Sequence, residues 1–259
     1  MISDDQLLRY NRQIMLPQMD VAGQEKLLAA KVLIVGMGGL GCPVSLYLAA
    51  AGVGELILAD GDKVDISNLQ RQIAHTEADI DRAKVDSVAD SIAAINSDLT
   101  VRRIDRRLQG EELRRQVAAV DLVVDATDNF STRLEINRAC VELARPLVSG
   151  AAIRSEGQVL VIDTAAGTPC YHCVYPQVQA DEELSCSENG VLAPMVGVIG
   201  SLQALEAVKL LSGYGEPLRG QLLLIDGWSL QVRRIKLKKN PQCPHCSQDR
   251  AVADDSSTP

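Results

Sequence analysis

Apolar and polar positions change rhythm several times along the 259-residue chain, and each change predicts an element. Residues 4–30 read as amphipathic helical material, with Leu7, Leu8, Ile14, Leu27 and Leu28 as expected apolar anchors and Pro17 as a break. From Lys31 short apolar runs alternate with helical stretches. "KVLIVG" predicts a first strand and residues 42–51 a helix of small residues able to pack closely on a sheet. "ELILAD" predicts a second strand ending at Asp60, and a helix follows over 81–96. "TVRRID", a charged helix over 111–120, the buried strand in "DLVVDATDN", a helix over 131–144 and the strand "PLVSG" continue the series. This order predicts an α/β fold: a Rossmann-like, doubly wound, mainly parallel sheet that binds ligands at the carboxyl ends of its strands.

The second half changes character. "EGQVLVID" and "QLLLIDGWSLQVRRIKL" alternate like antiparallel strands and are expected to extend the sheet. Between them, residues 191–212 form a long apolar segment with Gly197 and Gly200, which predicts a buried or interfacial helix. The polar stretch 176–190 reads as a mobile loop, and the tail from Ser247 as disordered. There is no internal repeat.

Composition narrows the class. With 46% hydrophobic and 23% charged residues the chain is ordinary for a globular protein, and a net charge of −8 argues against a nucleic-acid surface. No continuous apolar run reaches the ~18 residues of a membrane span. The polar start "MISDDQLLRYNRQ" lacks the apolar core of a signal peptide, so a cytoplasmic protein is expected. Seven cysteines, an odd number, do not suggest a disulfide framework.

Candidate chemistry begins at "VLIVGMGGLG", where a strand runs into Gly36, Gly38, Gly39 and Gly41. GxGxxG after a strand and before a helix holds a nucleotide's phosphates at the helix N-terminus. Asp60 ends the second strand at the spacing of a ribose-binding acid, so the glycines alone admit a nicotinamide enzyme or another nucleotide chemistry. The flanking loops separate these readings. "DISNLQRQ" carries Asn68, Arg71 and Gln72 after the second strand, Lys84 starts a helix, and "DATDN" places Asp125, Asp128 and Asn129 at the mouth of the fourth strand. Splitting a triphosphate calls for cations and a metal-binding carboxylate at the reacting phosphorus, whereas an intact dinucleotide does not. Singly, such an Arg or Lys is most often a solvated charge, and such an Asp a cap or turn residue. Their joint appearance at successive strand ends favours Arg71, Lys84 and Asp128 as a catalytic set.

The cysteines pair as Cys170-x-x-Cys173 and Cys243-x-x-Cys246, 69 residues apart. Each pair alone could be a redox motif, but neither is expected at a strand-to-helix start. Together they supply the four thiolates of a structural zinc. Cys42 and Cys140 lie on apolar helix faces as core residues. His75, His172 and His245 are read as non-catalytic.

"RYNRQI", "VLIVGMGGLG", "AGVGELILAD", "SNLQRQ", "AKVDS", "DATDN", "VSGAAIR", "PCYHC", "GVIGSLQALEAVKLL" and "CPHC" together resemble, in order, the MoeB/ThiF family of bacterial adenylyltransferases, relatives of the ubiquitin-activating enzymes. The resemblance spans residues 5–247. It implies binding of ATP and Mg2+, and adenylation of the C-terminal glycine of a small ubiquitin-like sulfur carrier with release of pyrophosphate. By position, Gly38 and Gly39 would face the phosphates and Asp60 the ribose. Ser67, Asn68, Leu69, Gln70, Arg71 and Lys84 would grip the triphosphate. Asp128 would bind magnesium, with Asn129 beside it. Arg12 resembles an arginine that family homodimers lend to the partner subunit, and the helix over 191–211 would help form that interface. The resemblance also implies a Zn2+ site made by Cys170, Cys173, Cys243 and Cys246, remote from the chemistry. Cys186 resembles a cysteine that forms a transient acyl-disulfide in ThiF-like members and is dispensable in MoeB-like ones. The neighbouring Glu182, Glu183 and Glu188 disfavour its thiolate.

These implications divide the chain into an N-terminal helical segment (1–30), an ATP-binding part (31–150), a carrier-binding and zinc part (151–247) and a tail (248–259). "VSGAAIRSEGQ" and "GYGEP" favour the molybdopterin-synthase carrier, while "DIDRAK" and "YPQVQADEELSC" lean towards the thiamine carrier ThiS. With no rhodanese-like domain in the sequence, sulfur is expected from another protein. An NAD-dependent oxidoreductase and a non-catalytic scaffold are the competing classes; neither requires Arg71, Lys84 and Asp128 together.

Overall fold

Strand positions alternate between two separate cores, as a sheet covered on both faces demands. In a computed structural model, which describes residues 2–176 and 190–247, Val32 and Ile34 enter one core while Leu33 and Val35 enter the other. The strands are β1 (Lys31–Val35), β2 (Glu55–Ala59), β3 (Thr100–Ile104), β4 (Leu122–Asp125), β5 (Leu147–Ile153), β6 (Glu156–Ile162), β7 (Gln221–Asp226) and β8 (Gln231–Lys236). They lie side by side in the order β3-β2-β1-β4-β5-β6-β7-β8. β1 to β5 pair in parallel and β5 to β8 antiparallel, as the two sequence rhythms predict.

The helices are α1 (Asp4–Ile14), α2 (Asp20–Ala29), α3 (Gly41–Ala51), α4 (Lys84–Ile95), α5 (Gly110–Ala118), α6 (Phe130–Glu142), α7 (Tyr171–Val174) and α8 (Ala193–Ser212). Residues of α3, α4 and α8 fill the first core, and residues of α5, α6 and α7 the second. Cys42 and Cys140 are buried one in each, and burial pushes the Cys42 thiol up to about 12.

Two expectations change. Leu7 and Leu8 are exposed, and the residue that α1 buries is Tyr10, whose hydroxyl accepts a hydrogen bond from the Asn96 amide at 2.9 Å. The α8 helix is long and apolar enough by composition to cross a membrane, although the sequence shows no uninterrupted apolar run of that length. Its charges explain the difference: buried Glu206 pairs with half-buried Lys209 along it, and Glu206 accepts the Leu218 amide at 2.8 Å. Half of the apolar window is buried, against α3 and the sheet.

Helix α8 also fixes the centre of the molecule. A side chain at Gly200 would collide with Pro43 and the Leu40 carbonyl, so the absence of one lets α8 approach the start of α3. Fully buried Gln203 donates its amide to the carbonyls of Asp125 (2.7 Å) and Val148 (3.3 Å), pinning α8 across β4 and β5.

Candidate active site

Strand order reverses between β1 and β4, so the chain leaves these neighbours in opposite directions and opens a crevice at their carboxyl ends. The turn after β1 enters it. Gly36 has φ +94°, and a Cβ there would meet the Ala126 carbonyl oxygen at 2.8 Å. A Cβ on Gly41 would stand 1.8 Å from the Gly36 carbonyl oxygen. These two glycines let the turn close on itself and start α3, while Gly38 and Gly39 line the cavity.

Asp60 ties the turn to the second strand. Its carboxylate accepts the amides of Met37 (2.6 Å) and Asp62 (2.8 Å), leaving lone pairs for ribose hydroxyls. Burial raises its pKa above the ordinary 3.8, opposed by the charge of Lys84 and by the two amides. Lys84, the first residue of α4, is buried, with Nζ 3.0 Å from Asp62 Oδ2. Arg71 stands on the loop after β2 and donates to the Ser67 carbonyl at 3.0 Å. Asp128 is exposed at the cavity mouth, and Asn129 caps α6 by accepting the Thr132 amide at 2.9 Å.

Gly38, Gly39, Asp60, Arg71, Lys84, Asp128 and Asn129 therefore border one cavity. Ser67, Asn68, Leu69 and Gln70 do not line it. Asp65 accepts the Ser67 hydroxyl and amide, and Asn68 Oδ1 accepts Asp65's own amide, so this segment builds the turn that carries Arg71. Arg12 is exposed and borders no part of its own chain's cavity. Cys186 lies outside the described residues.

Gln72, which the sequence places with Arg71 on the loop after the second strand, is buried and faces Gly38 across the turn. Sequence reasoning missed several other residues that line the cavity. Arg106, Arg107 and buried Leu108, directly after β3, form the wall beyond Asp60. The run "RIDRRLQ", basic at a strand's carboxyl end, was the available signal. Arg133 borders the cavity from α6 and has no such signal. Buried His75, read as non-catalytic, has a scaffold role: its ring nitrogens lie 2.8 Å from Ser87 Oγ and 3.1 Å from the Met37 carbonyl. With Nε2 donating to that carbonyl, Nδ1 accepts the Ser87 hydroxyl, and a neutral ring supports the glycine turn.

The four cysteine sulfurs converge within 4.8 Å of one another. Cys170–Cys243, Cys170–Cys173 and Cys173–Cys246 separations are 3.6, 3.9 and 3.4 Å. A tetrahedron with Zn–S bonds of ~2.3 Å has edges of ~3.8 Å, whereas a disulfide needs ~2.05 Å, so the residues fit a structural zinc ion. Cys170 caps a helix, the four-residue α7, although β6 ends eight residues earlier and the pair does not stand at a strand-to-helix start. The convergence of the second pair nonetheless separates this cluster from a two-cysteine redox site. Nor is the cluster isolated. Tyr171, between two of its cysteines, lines a groove that also holds Asp128, and its amide donates to Asn137 of α6 at 2.9 Å.

A Rossmann-like crevice holding fixed cations and an acid, beside a four-cysteine clamp, defines a nucleotide-using protein built for phosphate chemistry. The chain belongs to the ThiF family, whose profile matches residues 10–245. It is 47% identical to the molybdopterin-synthase adenylyltransferase of Salmonella typhimurium, over 95% of this chain and 99% of that protein. It is also 47% identical to the sulfur carrier protein ThiS adenylyltransferase of Escherichia coli, over 96% of this chain and 99% of that one. Among solved structures it resembles E. coli MccB crystallised with ATP, with a TM-score of 0.80 and 26% identity, over 92% of this chain and 74% of that one.

Proposed function

We propose that this chain is an ATP-dependent adenylyltransferase that activates the C-terminal carboxylate of a ubiquitin-like sulfur carrier, with the molybdopterin-synthase carrier as its substrate. The observation that carries the reading is the meeting of Arg71, Lys84 and Asp128 with Gly38, Gly39 and Asp60 in one cavity at the switch point. Relatives of both names match equally well in identity, so the thiamine carrier is the second reading.

The nucleotide's phosphates lie against Gly38 and Gly39 at the start of α3, where free amides and the helix dipole favour anions. Asp60 holds the ribose, and the 106–108 wall faces the base. The carrier's carboxylate, ionised at neutral pH, attacks the α-phosphorus. The bond to the β-phosphate's bridging oxygen breaks, and pyrophosphate leaves with the electron pair. No general base is needed, so alignment and charge neutralisation carry the catalysis. Arg71 and Lys84 take up charge developing on the phosphates. Asp128 would hold Mg2+, which favours one or two carboxylates together with phosphate oxygens and neutralises the leaving pyrophosphate when bound. Cys170, Cys173, Cys243 and Cys246 would hold Zn2+, fastening the C-terminal segment to the second core.

The active unit is a homodimer. Val198 and Leu205 lie seven residues apart on α8 and are 44% and 47% exposed, with Leu192 and Tyr47 also exposed. In such a dimer Arg12 would serve the partner's site. We place the protein in the cytoplasm, where the six cysteines that are free among the described residues stay reduced. Calorimetric titration should show binding of ATP with Mg2+ and none of NADH, and carrier-dependent exchange of pyrophosphate into ATP. NADH binding without exchange would return the site to dinucleotide chemistry.

A further inference from the structure

The nucleotide cavity shares part of its lining with a groove along β5, β6 and β7, lined by Ile153, Gly157, Tyr171, Tyr175 and Leu224 among others. Three residues border both spaces: Asp128, Arg133 and Ala152. Arg133 is thus the one cation common to the two among the described residues. It stands in the first turns of α6, 6% exposed, and its Nη2 donates to the Thr127 carbonyl.

The proposed reaction brings a carboxylate onto a phosphate, and this junction is where the two anions meet. Their repulsion is strongest away from bulk water, so a cation fixed between them lowers the barrier to approach. An arginine suits this place because its planar fork matches a carboxylate in two-point contact. Arg71, Lys84, Arg106 and Arg107 line the nucleotide cavity but not the groove. Holding the 126–129 loop does not by itself require Arg133. Asp125 already accepts the Thr127 amide (3.0 Å) and hydroxyl (2.6 Å).

Resting on the adenylyltransferase reading, we propose that Arg133 is the residue that receives the carrier's free C-terminal carboxylate and presents it to the α-phosphorus. It would therefore distinguish a free chain end from a blocked one. Binding of the molybdopterin-synthase carrier and of its C-terminally amidated form, each measured by calorimetry on the full chain, tests this. The wild-type chain should prefer the free acid by roughly ten- to a hundredfold, the range for a hydrogen bond to a charged group. Arg133→Gln should weaken the free acid to the level of the amide, leave the amide within about twofold, and leave ATP binding intact. Arg133→Lys, which keeps charge but not the fork, should restore part of the preference, and thermal melts of both variants check folding. Full discrimination in a folded Arg133→Gln variant, or parallel loss of ATP and amide binding, overturns the assignment. A wild-type chain that adenylates the carrier without preferring its free acid overturns this inference alone. One that binds neither form and makes no adenylate overturns the functional reading with it.

Discussion

Arg71 on a loop and Lys84 at the start of α4 both follow β2, and Asp128 follows β4, yet all three reach the same crevice. That is why they were legible: in a doubly wound sheet, position after a strand specifies the functional edge. Arg133 was not, because it reaches the cavity by packing rather than by strand succession. Residues 67–70 show the reverse, a motif whose place in the sequence is right and whose side chains serve the turn. Arg71→Ala and Asp128→Ala should each lower carrier-dependent pyrophosphate exchange by about 10²–10³, the usual cost of one preorganised charge-stabilising group, with unchanged circular dichroism. His75 supplies a pH test. Burial lowers its pKa below the ordinary 6.5, so above 6.5 both folded and unfolded rings are neutral. As pH falls below 6.5, the unfolded chain takes up a proton that the native ring resists, and stability drops towards the folded pKa. Denaturant unfolding between pH 7.5 and 5 should show His75→Gln losing that component of the slope.

At the level of elements, apolar rhythm predicts which segments are strands and which are parallel, since buried runs and half-polar alternation differ in the sequence. Lateral order is not legible in the same way, because the pattern of one strand does not name its neighbours. The α1 helix was misread for a related reason. Leu7 and Leu8 lie on an amphipathic helix, but such a face says only that something covers it, and among the described residues nothing does. The glycine turn permits a sharper expectation. Gly41→Ala would force a Cβ into the backbone carbonyl of Gly36 at 1.8 Å, so backbone must move. A loss of about 3 kcal/mol or more in urea unfolding is expected, at the high end for single substitutions.

For the whole molecule, the four-cysteine cluster and α8 carry the remaining consequences. Metal analysis should find one zinc per chain. Its removal by a chelator, or Cys243→Ser, should lower the melting temperature, because a metal bound only by the folded state stabilises it. Loss of zinc should also loosen the Tyr171 wall of the groove and raise KM for the carrier more than for ATP. Leu205→Glu puts a charge on the exposed side of α8 and should shift sedimentation from dimer to monomer. The most direct measurement joins all scales: the chain is mixed with ATP, Mg2+ and each candidate sulfur carrier, and the carrier's mass is read. A carrier heavier by one adenylyl group, with pyrophosphate released and the signal lost in Asp128→Ala, is the predicted result. ATP bound with no adenylyl group on any carrier would contradict the claim that this crevice splits the triphosphate rather than only holding it.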